Sequence, residues 1–164
     1  MVILKVTIKY SQIGDERTMN KNYQFYIAGR ARNKERILKI CNIFEELNIL
    51  HYCFLKNEAS HEKAGLNLND VDLAETFESM KLDDPRIRLL FEADLEGEKH
   101  SDNFLLVLPA GKSAHIEAGI AYGLGKKCYA IGEYDVTDSL YLIFDKIFKD
   151  ENELRAFLIN NKMK

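Results

Sequence analysis

The 164-residue chain has no apolar run approaching the roughly 20 residues that a membrane-spanning helix needs. Its N-terminus lacks the basic, then apolar, then small-residue plan of a secretory signal, so a cytoplasmic protein is expected. It has little excess charge. A net charge of −3 gives no reason to expect a nucleic-acid backbone or an anionic membrane as partner. Cysteine is scarce: Cys41, Cys53 and Cys128 are an odd number, show no paired spacing and sit in apolar surroundings. They read as buried free thiols in a reducing compartment rather than a disulfide framework. His51, His61 and His100 form no metal-ligand spacing with one another or with cysteine, so no metal site is predicted. No Gly-x-Ser-x-Gly elbow is present, which removes serine-hydrolase logic. Internal repeats, low-complexity tracts and linkers are also missing.

What is present is ordinary globular material, 46% apolar and 30% charged, of a length that suits a single domain over residues 1–164. Val2, Leu4, Val6, Ile8 and Tyr10 alternate with Ile3, Lys5, Thr7 and Lys9 and predict a strand within an N-terminal extension, residues 1–20. Left exposed, such an edge could pair with another chain. Tyr23 to Ala28 is a short apolar run stopped by Gly29 and predicts a central strand. Asn33 can cap a helix carrying Ile37, Leu38, Ile40, Cys41, Phe44 and Leu47, with Asn48 as its stop. Leu50 to Leu55 predicts the next strand, parallel to the first.

Residues 57–100 break this rhythm. Asn69 or Asp70 can cap a short helix through Met80, and Asp84 caps another with Pro85 at its first position. Glu92 to His100 is so charged that a solvated surface is expected. The segment reads as a helical insertion over a sheet edge or as a lid over a pocket. Phe104 to Leu108 predicts a strand buried on both faces, Ser113 to Leu124 a helix, Cys128 to Ile131 a strand ended by Gly132, and Ser139 to Met163 a helical tail. Alternation of this kind gives an α/β fold: a mostly parallel, doubly wound sheet with helices on both faces.

In such sheets ligands sit beyond the carboxyl ends of the strands. Two ends stand out, Tyr26-Ile-Ala-Gly-Arg30 and Leu108-Pro-Ala-Gly-Lys-Ser113, each with a glycine followed by a basic residue. Gly111-Lys112-Ser113 resembles the tail of a phosphate-binding loop, but Leu106 stands where that motif requires its first glycine, which excludes it. The turn still offers backbone N–H groups to an anion, and Ser113 is either a plain helix cap or a ligand donor. Glu117, one turn into the helix, lies either on a solvated stripe or in a cleft. His115 reads as a surface residue of that helix in preference to an acid.

Tyr26 to Arg30, Asp102 to Leu108, Glu117-Ala-Gly-Ile-Ala121 and Lys126 to Ile131 together resemble the nucleoside 2-deoxyribosyltransferase superfamily, which includes the nucleoside 5′-monophosphate N-glycosidases and has a flavodoxin/Rossmann-like fold. The resemblance spans about residues 23 to 133. It implies that Glu117 is the nucleophile or charge stabiliser at the anomeric carbon, that Asp102 handles the proton of the leaving base, and that Tyr26 lines the sugar or base pocket. Arg30, Arg32 and Ser113 would lie near a phosphate pocket, and Gly29 and Gly111, at the two strand ends, are candidates for letting the substrate approach the backbone. It further implies a small-molecule nucleoside or nucleotide substrate, no cofactor, and a homo-oligomer. The chain departs from the pattern in having Ser113-Ala-His-Ile before the glutamate, and residues 57–100 do not align. A non-catalytic nucleotide-binding or sensing domain, and an NAD glycohydrolase-like activity, are the alternative readings.

Overall fold

Two central strands whose side chains alternate between two buried layers organise the molecule. In the computed structural model, which describes residues 22–134 and 137–161, β1 (Tyr23–Ala28) and β3 (Ser101–Val107) lie side by side in the sheet, with Tyr26 opposite Phe104 and Ile27 opposite Leu105. Phe25, Ile27, Leu105 and Val107 face one layer, and Tyr26, Ala28, Phe104 and Leu106 face the other. All these residues are buried, as expected of central strands covered on both faces.

The sheet is completed by β2 (His51–Cys53), β4 (Lys127–Ile131) and β5 (Lys146–Phe148), in the order β2-β1-β3-β4-β5. Every pairing is parallel. From β1 the chain first moves outward to β2, then returns past β1 to β3. The reversal makes the β1/β3 junction the switch point at which an open α/β sheet leaves a crevice.

One layer holds α1 (Lys34–Glu46) and α6 (Glu151–Asn160), which bury Ile37, Ile40, Phe44, Leu154 and Leu158 against the sheet. The other holds α5 (Lys112–Gly123), which meets the sheet through Ala114, Ala118 and Ala121. Small side chains at helical spacing let this helix approach the strands closely. Beside it runs α4 (Pro85–Lys99), capped by Asp84 and started by Pro85. Its Gly97 is indispensable to the packing: a Cβ there would lie 2.5–2.7 Å from ring carbons of Tyr52. Two shorter helices, α2 (Glu58–Lys63) and α3 (Leu73–Ser79), complete the insertion.

The expected mostly parallel doubly wound fold is present, with four corrections in detail. The tail is not purely helical, because Lys146–Phe148 adds β5 to the sheet edge. The second strand is only His51–Cys53 and gives way to a 3-10 turn at Phe54–Lys56. The helix after β3 starts at Lys112 with Gly111 in the cap position, and Ser113 is already inside it. Most consequentially, the charged stretch from Glu92 to Lys99 is the second half of α4 and is not simply solvated: Glu98 is 1% exposed. Asn48, with φ of 56°, stops α1 as anticipated. The three cysteines are buried and free. Among the described residues no helix is long and apolar enough to cross a membrane. The alternating segment Val2 to Tyr10 lies outside the described residues.

Candidate functional site

The buried aromatic ring of Tyr26 is the floor of the site. It stacks between Tyr52 of β2, 5.2 Å away at 9° between planes, and Phe104 of β3, 5.8 Å away at 11°. Sandwiched in this way, the ring cannot swing, and its hydroxyl is aimed at α5, where it donates a hydrogen bond to Glu117 Oε1 at 2.9 Å. Tyr52 repeats the pattern one strand over. Its hydroxyl donates to Asp94 Oδ1 of α4 at 2.8 Å and accepts from Asn57 Nδ2 at 2.8 Å. Two parallel tyrosines therefore present two carboxyls, one from each helix of this layer.

A third carboxyl, Glu98, follows Asp94 by one turn of α4 and has an oxygen, Oε1, with no hydrogen-bond partner. Three acids in one packed layer resist ionisation, since burial penalises all three anions and like charge adds to this at Glu98 and Glu117. Burial, then the charge of Asp94, pushes the Glu117 carboxyl up to about 8, with the Tyr26 hydrogen bond working against this and Glu98 adding to it. Burial takes Asp94 to about 6 against the opposing hydrogen bond from Tyr52. Burial takes Glu98 to about 7, opposed chiefly by the Lys126 ammonium. Tyr26 itself is held well above the ordinary phenol range by burial and by these acids, so it stays a donor. Titratable groups displaced towards neutrality beside specific charge partners mark this layer as a candidate site.

Not every residue singled out from the sequence joins the cluster. Asp102 lies at the start of β3 and is exposed. The acids whose charges act on Glu117 are Asp94 and Glu98. Gly29 is tight for a packing reason, since a Cβ there would come within 2.6 Å of Ile37 Cδ1. Gly111 lies beside Arg30, whose Cβ is 3.8 Å from where a Gly111 Cβ would stand, and Asn33 Nδ2 donates to the Pro109 carbonyl at 3.3 Å. The two strand ends thus meet. Ser113 is exposed in the first turn of α5 and caps nothing.

Arg30 and Arg32 are both engaged by Glu78 of α3. Arg32 donates twice, at 2.7 and 2.6 Å, and Arg30 once, at 3.3 Å. The insertion therefore covers the end of β1 and supplies an anion to its arginines. His115 contacts Gly111 O through Nδ1 at 2.8 Å and the Tyr141 hydroxyl through Nε2 at 2.9 Å. It is exposed, as its surface-helix reading anticipates. A depression of about 410 Å³, lined by Gly132, Glu133, Tyr134, Ile147, Phe148 and Lys149, lies at the carboxyl ends of β4 and β5 and does not include Glu117.

Asp94 and Glu98 are what sequence reasoning missed. The available signal was their i,i+4 spacing on a helix that also carries Leu90 and Gly97 at inward positions. The density of other charges around them hid it.

No protein-family model matches the sequence, and no curated protein sequence matches it. Among solved structures, the 2-deoxyribosyltransferase of the psychrotolerant bacterium Bacillus psychrosaccharolyticus, described as a biocatalyst for the synthesis of antiviral and antitumoral nucleosides, is similar in three dimensions. The TM-score is 0.55 and the identity 18%, with 80% of this chain and 89% of that one covered. At that identity the likeness is one of fold, and the five-stranded parallel α/β sheet described above is the fold that this chain shares with that deoxyribosyltransferase.

Proposed function

We propose that this protein cleaves or transfers at the N-glycosidic bond of a nucleoside or nucleoside 5′-monophosphate, with Glu117 acting at the anomeric carbon. The observation that carries the reading is the Tyr26–Glu117 hydrogen bond, which holds a partly buried carboxyl one turn into the helix that follows the switch point. A carboxylate suits this task because the bond breaks through an oxocarbenium-like state, which an anion stabilises or traps.

Asp94 takes the role first expected of Asp102, which is exposed. Near neutral pH the Asp94–Glu117 pair holds fewer charges than carboxyls, because burial raises both and the charge of Asp94 further opposes ionisation of Glu117. Positive charge developing at the sugar carbon favours ionisation of Glu117, whose proton passes to Asp94, the more acidic of the two at rest. The carboxylate of Glu117 then bonds to the anomeric carbon, the carbon–nitrogen bond breaks, and the base departs with the proton from Asp94. Water or a second base next displaces Glu117 and returns a proton to Asp94. Tyr26 keeps Glu117 oriented throughout, while Arg30, Arg32, Gly111 and Ser113 receive the 5′ end of the substrate. The working form is a homo-oligomer, as the family resemblance implies.

Base release or base exchange, followed over a panel of nucleosides and deoxynucleoside monophosphates, tests the reading. Wild-type protein is expected to turn over at least one member, and Glu117→Ala and Asp94→Asn to lose about a thousandfold or more of that rate. Silence across the panel, or a rate untouched by Glu117→Ala, would overturn it.

A further inference from the structure

Asn57 stands where the chain leaves the sheet for the helical insertion, and both ends of its side-chain amide are committed. Its Oδ1 accepts from the Ser60 backbone N–H at 3.3 Å and so caps α2. A backbone N–H can only donate, which fixes the way round that the amide stands. Nδ2 is thereby turned to Tyr52, whose hydroxyl oxygen accepts from it at 2.8 Å. The Asn57 carbonyl is held as well, by the His61 backbone N–H at 3.3 Å and by His61 Nδ1 at 2.9 Å. His61 is buried and set edge-on to Phe77 of α3, with 5.8 Å between ring centres. The consequence of this clamp falls on Tyr52. A phenol has one proton, and with Asn57 donating to its oxygen that proton cannot point at Asn57. It goes to Asp94 Oδ1, at 2.8 Å. Tyr26, the parallel tyrosine, receives no such bond among the described residues.

We propose that Asn57 is a positioning residue for Asp94: by donating to the Tyr52 oxygen it holds the Tyr52 proton on Asp94 Oδ1, and so leaves Oδ2 as the oxygen that takes up and gives away the reacting proton. A proton on Oδ1 would confront the proton of Tyr52, whereas one on Oδ2 leaves the Tyr52 bond intact. A donor held on Oδ1 also stabilises the carboxylate that remains once the proton has gone, which makes Asp94 a better acid towards the leaving base. The surroundings of Asp94 leave this task to Tyr52. The titratable groups near it are Tyr26 of β1, Tyr52 and Cys53 of β2, Glu117 of α5 and, on its own helix, Glu98. None of them is a cation, and the Tyr52 hydrogen bond is what favours the Asp94 anion against burial. The purpose given to Asn57 rests on the reading of Asp94 as the acid of glycosyl chemistry, and the titration that tests it does not.

The test is a side-chain carbon NMR titration of the whole protein with ¹³C-labelled aspartate, made without substrate, the Asp94 signal being assigned by its loss in Asp94→Asn. Two variants keep a capping oxygen for α2 and remove the donor to Tyr52. Asn57→Ser leaves the Tyr52 proton undirected, and Asn57→Asp draws it away to the new carboxylate. The Asp94 midpoint should rise in both, by about one pH unit in Asn57→Asp and by less in Asn57→Ser. With Tyr52→Phe as background, Asn57→Ser should move nothing, because the group it acts through is gone. In Asn57→Asp kcat for base release should fall about tenfold with KM little changed. An unmoved Asp94 midpoint in either variant, or the same rise with and without the Tyr52 hydroxyl, overturns the proposal. If Asn57→Asp does not fold, Asn57→Ser and its pairing with Tyr52→Phe decide. A raised midpoint in a protein that releases no base would retain the hold of Asn57 on Asp94 and discard the glycosyl reading, and base release with an unmoved midpoint would do the reverse.

Discussion

Tyr26 and Glu117 stand 91 residues apart in the chain and meet at 2.9 Å, hydroxyl to carboxylate, across the interface between the central sheet and α5. The bond favours the ionised form of Glu117 against burial and against Asp94. Tyr26→Phe keeps the stacked ring and removes the donor. The Glu117 carboxyl should then titrate higher, moving the acid limb of the pH–rate profile upward, and kcat/KM should fall about ten- to a hundredfold. Stability should drop by only about 1 kcal/mol. An unshifted acid limb would mean that the hydroxyl does not tune Glu117.

Gly97 supports the same geometry from behind. Alanine there would put its Cβ within 2.7 Å of three ring carbons of Tyr52, a ring fixed by its own stack on Tyr26. The ring cannot yield, so α4 must move. Gly97→Ala should destabilise the protein by about 2–3 kcal/mol and lengthen the Tyr52–Asp94 bond, lowering activity in the fraction that folds. Thermal melting and single-turnover rates would check both effects. A variant as stable as wild type would show that α4 does not depend on this close approach.

Much of this arrangement could be read from residues in sequence, and the part that could not has a common cause. β1, β3 and β4 announce themselves as apolar runs, the first and last stopped by Gly29 and Gly132 and the middle one by Pro109. The α5 glutamate is visible because small residues surround it. Asp94 and Glu98 were invisible because five of the eight residues from Glu92 to Lys99 are charged, which locally describes a solvated face. Their burial comes from Gly97 fitting against Tyr52 and from α5 arriving later in the chain. The Arg30, Arg32 and Glu78 contacts span 46 to 48 residues and leave no local pattern. β5 has only three residues, too few to show a period.

The carboxyl cluster also sets how stability varies with pH. Asp94, Glu98 and Glu117 all titrate above ordinary carboxylates in the folded state, so the native protein binds more protons than the unfolded chain through the range from about 4.5 to about 8. Their contribution is fully present below the unfolded values and is lost as pH rises through 6, 7 and 8. Urea midpoints should therefore be higher near pH 5.5 than near pH 8.5, by several kcal/mol in unfolding free energy. Glu98→Gln should flatten the slope. A protein that gains stability on alkalinisation over this window would contradict the buried, neutralised state of the three acids.

Glu78 offers a prediction about ligand choice. It holds Arg32 by two hydrogen bonds and Arg30 by one, at the place where β1 ends beside Gly111. All three side chains are 40–49% exposed, so the contact adds little to stability. Its larger effect is to place one negative charge on two guanidiniums that a 5′-phosphate would otherwise reach. Glu78→Gln preserves size and removes that charge. Calorimetry should show binding of a nucleoside 5′-monophosphate tightened by about tenfold in the variant, while binding of the corresponding nucleoside stays the same. The gain should shrink as salt is raised, since these groups face solvent. Equal effects on nucleoside and monophosphate would place the phosphate elsewhere. Weaker monophosphate binding in the variant would mean that Glu78 orders the arginines for the phosphate instead of competing with it.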